Sequence, residues 1–393
     1  MKIVQINATC GVGSTGKICL EISKLLTQNG IENYVLYSEA NSNYPNAIKY
    51  ASQKQIKFSA LFSRMFGNYG FTSKCATKKL IKHLEKIKPD IVHVHNIHGH
   101  GCNFQMLFDY LRRKKIKVYY TFHDCWALTG YCTHFTMDNC KEWLTGCACC
   151  NGSKRYSYIF NRSKKLCEKK KKALENLDLT IITPSEWMAG VVKQSFLKDY
   201  QIKVINNGID LNVFKPTPSN FRKKYGIEDK FVLLCVAFGF GKSKGLDVMI
   251  ELAKRLDERY QIVLVGTDKQ VDKILPSNII SIEKTQNQQE LAETYSSADL
   301  LVNPTRQDTF PTVNIESLAC GTPVITFATG GSPEILDNTC GRVVAVEDID
   351  GLEKGIKEIC ENNLLRQEDC INRAKLFDKD QKFKEYIEEY LGR

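Results

Sequence analysis

The sequence predicts an α/β protein made of two doubly wound, parallel-sheet domains, and three observations carry that prediction. Short apolar runs of strand length alternate with longer amphipathic stretches, and the alternation occurs twice. The runs end in polar residues, as strands buried on both faces do. Between the two sets lies INNGIDLNVFKPTPSN, where an Asn-Gly pair, two prolines and polar residues mark a connector.

In the first half KIVQINA, NYVLYS, DIVHVHN, VYYTFHD and LTIITP read as strands, with helices over Gly16–Gln28, Thr77–Lys88 and Asn103–Lys114. In the second half FVLLCVAF, QIVLVGT, DLLVNPT, TPVITFAT and CGRVVAV read as strands with helices between them. The boundaries that follow are a first domain over 1–205 with a Cys-rich insert at 125–150, and a second over 206–378. Residues 379–393 form a last helix expected to pack back on the first domain, with Phe383, Ile387 and Leu391 as its apolar edge. Parallel sheets bind ligands beyond the C-terminal ends of their strands, so functional residues should follow each apolar run directly.

Composition narrows the class. With 393 residues, 43% hydrophobic and 25% charged, the chain has room for two cores and is globular rather than disordered. No apolar run approaches the ~20 residues of a membrane-spanning helix. The start, MKIVQINATCGVG, lacks the long apolar stretch of a signal peptide, so a cytoplasmic protein is expected. The net charge of +11 is uneven: residues up to Val204 hold 31 Lys and Arg against 14 Asp and Glu, +17, and the remainder carries −6. A basic first half suits an anionic partner, either a phosphorylated substrate, nucleic acid or a lipid surface.

The first motif is GVGSTGKI, Gly11–Ile18, after the first strand and opening a helix. Glycines there let backbone N–H groups approach an anion at the positive helix end, and Gly13 and Gly16 are the candidates. Gly11, Gly16 and Lys17 nearly complete a P-loop, but Ile18 stands where that loop needs a hydroxyl for Mg²⁺. A plain tight turn is the competing reading.

Five of the seven histidines, His93, His95, His98, His100 and His123, fall in IVHVHNIHGHG and TFHDCWALTGYC. Alternation puts His93 and His95 on one side of a strand, which favours hydrogen-bonding roles over a catalytic metal. His123, ending a strong strand beside Asp124, is the catalytic candidate of this half. Five of the sixteen cysteines lie between Cys132 and Cys150. Cys132, Cys140, Cys147 and Cys150, with a C-x2-C pair, suit a closed structural zinc site; reduced, unliganded thiols are the alternative.

In the second half Lys242 and Lys244 follow a strand and Gly245 opens a helix, a pairing suited to a phosphate leaving group. The densest constellation is NPTRQDTFPTVNIESLACGTPVITFATGGSPEIL. Asp308 falls in a loop and Glu316 in the first turns of a helix beginning near Pro311. Carboxylates so placed accept bonds from paired sugar or ribose hydroxyls. The backbone N–H groups of Phe310, Thr312 and Val313, in the segment around Pro311, can hold the anionic part of the same ligand, and Gly330-Gly331 looks like a second such turn.

These residues resemble glycosyltransferase family 4, retaining enzymes of the GT-B fold, in its bacterial capsular and exopolysaccharide branch. NATCGVGSTGKI, DIVHVHNIHGHG, TFHDCWALTGYC, PSEWMA, INNGID and DTFPTVNIESLACGTPV carry the resemblance across nearly the whole chain. It implies two Rossmann-like domains facing across a cleft and a nucleoside-diphosphate sugar as donor. Glu316 would bind the donor ribose, Asp308 the hydroxyls of the transferred sugar and Lys244 the diphosphate. His123 would contact the sugar or acceptor near the reacting centre. No catalytic metal is implied. The family's usual Arg, five or six residues before Lys244, is replaced by Phe238 and Gly239, so Lys242 is its substitute.

The acceptor should bind the first domain. FSALFSRMFGNY places Phe58, Leu61, Phe62, Met65, Phe66 and Tyr69 at helical spacing beside Lys54, Lys57 and Arg64. Such a helix ordinarily packs on its own sheet; with +17 on this half, an interface with an anionic membrane is the alternative, suited to a lipid-linked saccharide acceptor at the inner face of the plasma membrane. Two other function classes remain in view, a P-loop-like nucleotide hydrolase and a basic nucleic-acid-binding protein. Ile18 opposes the first, and the lack of aromatic residues among Arg112–Lys115 and Lys169–Lys172 opposes the second.

Overall fold

The computed structural model describes residues 1–148 and 154–392. The chain forms two compact units, residues 1–205 with 383–393, and residues 206–382.

The first unit is built on a seven-stranded, all-parallel sheet: β1 (Lys2–Asn7), β2 (Glu32–Tyr37), β3 (Ala47–Lys49), β4 (Ile91–Val94), β5 (Lys117–Thr121), β6 (Leu179–Thr183) and β7 (Gln201–Val204), in spatial order β3-β2-β1-β4-β5-β6-β7. The order reverses between β1 and β4, where successive connections leave the sheet in opposite directions and open a crevice at the strand ends. Its helices are α1 (Gly13–Gln28), α2 (Gln53–Phe66), α3 (Lys74–Ile87), α4 (Phe104–Lys114), α5 (Ser163–Leu174) and α6 (Glu186–Lys193). Central strands are mostly apolar because helices cover both faces: Ile3, Val4 and Ile6 of β1 are fully buried, each contributing about 2 kcal/mol, beside the buried polar Gln5 and Asn7.

The second unit has a six-stranded parallel sheet: β8 (Phe231–Val236), β9 (Tyr260–Val265), β10 (Ile279–Ile282), β11 (Leu300–Asn303), β12 (Val324–Phe327) and β13 (Gly341–Val344), ordered β10-β9-β8-β11-β12-β13. Its switch point lies between β8 and β11. The helices are α7 (Phe221–Tyr225), α8 (Leu246–Arg255), α9 (Lys269–Asp272), α10 (Gln288–Ser296), α11 (Thr312–Ala319), α12 (Ser332–Ile335), α13 (Ile349–Asn362) and α14 (Gln367–Ala374).

The last helix, α15 (Lys379–Leu391), joins the first unit from Phe383 onward. Phe383, Tyr386, Ile387 and Tyr390 are buried in one cluster with Ile3, Ile18, Ile22 and Leu26. Leu391, read from spacing as part of the apolar edge, is exposed; the two tyrosines take its place.

Strands β3, β7 and β10 are absent from the apolar pattern because each is short and only partly buried near a sheet edge. A larger departure is α2. The usual packing of an amphipathic helix is inverted: Ser59 and Ser63 face inward, whereas Phe58, Leu61, Phe62, Met65 and Phe66 are exposed. Ser59 Oγ lies 2.7 Å from Ser73 Oγ, and Ile56 is the apolar side chain of α2 that packs against the core.

Candidate active site

Strand β1 delivers Asn7 to the first switch point, where its amide donates to the Thr9 carbonyl (2.9 Å) and its Oδ1 accepts from the Asn96 N–H (3.1 Å). The following loop closes through Gly11 N–H to Gly16 O at 2.8 Å. Gly16 is buried, and a Cβ there would lie 2.5 Å from Thr9 Oγ1, so its role is close packing. Gly13, with φ +69°, begins α1 with open space around it and is the glycine an anion could approach. Ile18 points into the core with Ile22 and Leu26, and Lys17 is exposed.

The histidines after β4 and β5 form two buried sets. In the first, Gln5 Nε2 donates to the Cys19 carbonyl (3.0 Å), so Gln5 Oε1 must accept from His95 Nε2 (3.0 Å). His95 Nδ1 is then the acceptor of a hydrogen bond that His123 Nε2–H donates at 3.1 Å. Burial holds His95 well below the ordinary histidine range and lowers His123 to about 4. His123 is therefore neutral near pH 7, with its lone pair on Nδ1. In the second set His98 Nε2 lies 2.7 Å from Asp124 Oδ2. Burial alone would lower His98, but the carboxylate's charge and hydrogen bond outweigh it and raise the pKa. Burial likewise opposes ionisation of Asp124; the His98 charge and hydrogen bond prevail and hold it at about 2. Asp124 also accepts from the Trp126 N–H at 2.8 Å, so it is a paired carboxylate rather than a free nucleophile.

Cys132, Cys140 and Cys147 do not converge: among the described residues no group of three or more His, Cys, Asp or Glu side chains could hold a metal. Cys147 Sγ accepts from the Gly130 N–H at 3.2 Å and is buried beside Cys167. Cys150 lies outside the described residues. What fastens this insert's root is Lys170, whose buried ammonium donates to the carbonyls of Trp126 (2.6 Å), Thr129 (2.8 Å) and Gly130 (3.2 Å) and sits 3.5 Å from a Trp126 ring centre. Burial lowers its pKa to about 7.

In the second unit Lys242–Lys244 form one 3₁₀ turn after β8. Gly245 has φ +74° and would meet Pro304 at 2.5 Å if it bore a Cβ, so the turn packs tightly on the loop after β11. Arg306, not singled out by the sequence pattern, locks that contact. It is buried; its N–H donates to Ser243 O (2.9 Å), and its guanidinium to Lys242 O (2.6 Å), Asp247 (2.6 Å) and Glu347 (2.8 Å). A buried guanidinium must be paired, and Arg306 finds its partners in Asp247 and Glu347. Lys242 itself is exposed.

This clamp aims Lys244. Its Nζ donates to Asp308 Oδ2 (2.8 Å) and to the Gln307 carbonyl (3.2 Å). Asp308 Oδ1 accepts from the Phe310 N–H at 3.3 Å. Helix α11 then begins after Pro311 with no side-chain cap, leaving a positive helix end. Phe310 and Pro311 are buried, whereas Thr312, Val313 and Glu316 are half-buried. Glu316 Oε2 accepts from Tyr295 OH at 3.0 Å. Gly330-Gly331 is not a second anion turn. A Cβ on Gly330 would lie 1.8 Å from the Asp308 carbonyl oxygen and Gly331 N–H bonds Thr309 O (3.1 Å), so the pair supports the Asp308 loop. Two Asp-x-Asp triplets, Asp348–Asp350 and Asp378–Asp380, are turn caps: Asp348 accepts from Gly351 N–H and Asp378 from Asp380 N–H, both at 2.8 Å.

Two doubly wound parallel sheets, with an ammonium and carboxylates gathered before an uncapped helix in the second, define a glycosyltransferase of the GT-B fold. The chain belongs to Glycosyltransferase Family 4, whose model matches residues 15–213; the model for glycosyl transferases group 1 matches residues 218–377. Among curated relatives, the putative colanic acid biosynthesis glycosyl transferase WcaC of Escherichia coli K12 is 23% identical over 374 residues, covering 89% of this chain and 88% of WcaC. The fold matches HepE of Anabaena in complex with UDP (TM-score 0.72, 14% identity, 100% of both chains). It also matches sucrose-phosphate synthase of Thermosynechococcus elongatus (TM-score 0.72, 17% identity, 100% of this chain and 98% of that one).

Proposed function

We propose that this glycosyltransferase moves a sugar, with retention of anomeric configuration, from a nucleoside-diphosphate sugar to a lipid-linked saccharide during synthesis of a cell-surface polysaccharide. The observation that carries the reading is the Lys244–Asp308 pair set before the uncapped start of α11. A donor diphosphate takes over the Lys244 ammonium, and Asp308 is released to accept hydrogen bonds from sugar hydroxyls. Glu316, just over one turn into α11, accepts from the ribose hydroxyls. Support for the donor comes from HepE, solved with UDP and with UDP-glucose, and for the pathway from the name of WcaC.

The bond between the anomeric carbon and the diphosphate breaks, and the acceptor oxygen bonds that carbon on the same face. The acceptor's proton passes to the departing phosphate oxygen. The charge that develops there is met by Lys244 and the N–H groups at Thr312 and Val313, so the reaction proceeds without a catalytic metal. The first unit takes the acceptor, and His123 contacts the sugar or acceptor near the reacting centre.

The test is a panel of nucleotide sugars with a lipid-linked acceptor, read by mass spectrometry. Glu316→Ala and Lys244→Ala should each lower transfer by about a hundredfold or more. Wild-type rates in both variants, or activity lost to EDTA and restored by Mn²⁺, would overturn the assignment.

A further inference from the structure

Helix α2 exposes its apolar side and buries its serines. Phe58 is 65% exposed and Leu61 54%, and the rings of Phe58, Phe62 and Phe66 follow one another along the helix at 4.7 and 5.5 Å. A second exposed apolar segment, Tyr158, Ile159 and Phe160, is fastened alongside. Tyr158 N–H donates to the Arg64 carbonyl (2.9 Å) and Arg64 Nη1 to Tyr158 OH (2.9 Å). Gly67 ends α2 with φ +65°, and a Cβ there would lie 2.6 Å from the Phe160 carbonyl oxygen, so only glycine allows this approach. Two segments some ninety residues apart in sequence thus form one apolar ridge.

The rim of the ridge is cationic. From Ala40 to Leu84 the sequence has eight Lys and Arg and no Asp or Glu. Directly after Phe160, a cavity of about 530 Å³ is lined by Asn161, Arg162, Ser163, Lys164 and Lys165, with Glu168 its single acid among the described residues. Arg162 Nη1 is held by Asn68 Oδ1 at 3.2 Å, which ties the cavity to the loop after α2.

We infer that the α2 ridge, with Ile159 and Phe160 and the Arg162–Lys165 cavity, docks the protein on an anionic lipid bilayer. The aromatic and aliphatic side chains enter the headgroup boundary by about 5–10 Å, and the cations meet lipid phosphates. Long apolar side chains ringed by lysine and arginine, with no acid on α2, match a surface that is greasy within and negative outside; a protein partner would have to supply both features. The inference deepens the proposed function by naming where a lipid-linked acceptor is met, and it rests on that reading only for its purpose.

The test is co-sedimentation of the full chain with vesicles of phosphatidylcholine alone or with one-quarter phosphatidylglycerol, at low and high salt. Binding should appear on anionic vesicles, weaken with salt and fall at least fivefold on neutral ones. Phe62→Glu with Phe66→Glu, and separately Lys164→Glu with Lys165→Glu, should each lower binding at least fivefold. All four positions are exposed, and an unchanged thermal melt confirms the fold. Absence of binding to anionic vesicles, or equal binding by the variants, overturns the inference. So does a dimer in light scattering that Phe62→Glu with Phe66→Glu dissolves, since the ridge would then belong to a second copy. Vesicle binding contains no catalytic step, so its failure leaves the donor chemistry standing, and a failed transfer assay leaves the vesicle result standing.

Discussion

His95 Nδ1 accepts a hydrogen bond from His123 Nε2–H across 3.1 Å, and the direction of that bond is dictated from Gln5. The Cys19 carbonyl can only accept, so the amide of Gln5 is oriented, and each later donor and acceptor follows. In histidine-labelled protein, ¹⁵N shifts should show His123 protonated on Nε2 at pH 7. Gln5→Leu should release the tautomer and lower kcat by about tenfold, the worth of about one positioned hydrogen bond. An unchanged spectrum in Gln5→Leu would dismiss the relay; a changed spectrum with unchanged kcat would dismiss a catalytic role for His123.

Lys244 and Asp308 hold each other at 2.8 Å. Asp308→Asn should remove the carboxylate's competition for the ammonium, so that UDP alone binds tighter by a few-fold while sugar transfer falls by about tenfold or more. Lys244→Ala should weaken UDP and transfer together. Calorimetry on UDP beside steady-state kinetics distinguishes the two patterns.

Much of this was legible in the sequence. The central strands could be read because helices cover both faces and leave mostly apolar runs; edge strands β3, β7 and β10 escape that logic. The candidates Lys244, Asp308 and Glu316 stand out in the sequence because they follow strand ends at a helix start. Arg306 was not, since a single arginine in TRQD carries no periodic signal and its meaning lies in Asp247 and Glu347, far off in sequence. Nor was the inversion of α2: spacing reports that one side of a helix is apolar, but not which side meets the sheet.

Stability should fall as pH drops from 7 to 5. His93, His95 and His123 are buried with pKa values lowered below the ordinary 6.5, mainly by desolvation. Through this window the unfolded chain binds protons that the folded chain does not, which favours unfolding as pH falls. His98, raised beside Asp124, works the other way, but it is one group against three. Lys170, at about 7 when folded, is largely protonated in both states below that pH and adds little. A melting series in His95→Gln should show a shallower decline than wild type; an equal slope would refute the assignment.

Lys170→Met should destabilise the protein by about 3 kcal/mol, because three inward-facing carbonyls lose their donor and Trp126 loses its cation. Urea unfolding measures the loss. Zinc content of anaerobically purified wild type and Cys140→Ser, measured alongside, tells whether metal shares in fastening the insert.

Because Phe383, Tyr386, Ile387 and Tyr390 seal the isoleucine wall of α1 and β1, the front half of the gene does not encode the whole of the front half of the protein. A fragment stopped at the connector would leave Ile3, Ile18 and Ile22 bare to water. The first unit is complete only once residues 383–393 have been made, and any dissection into separately expressed pieces must carry that segment with residues 1–205.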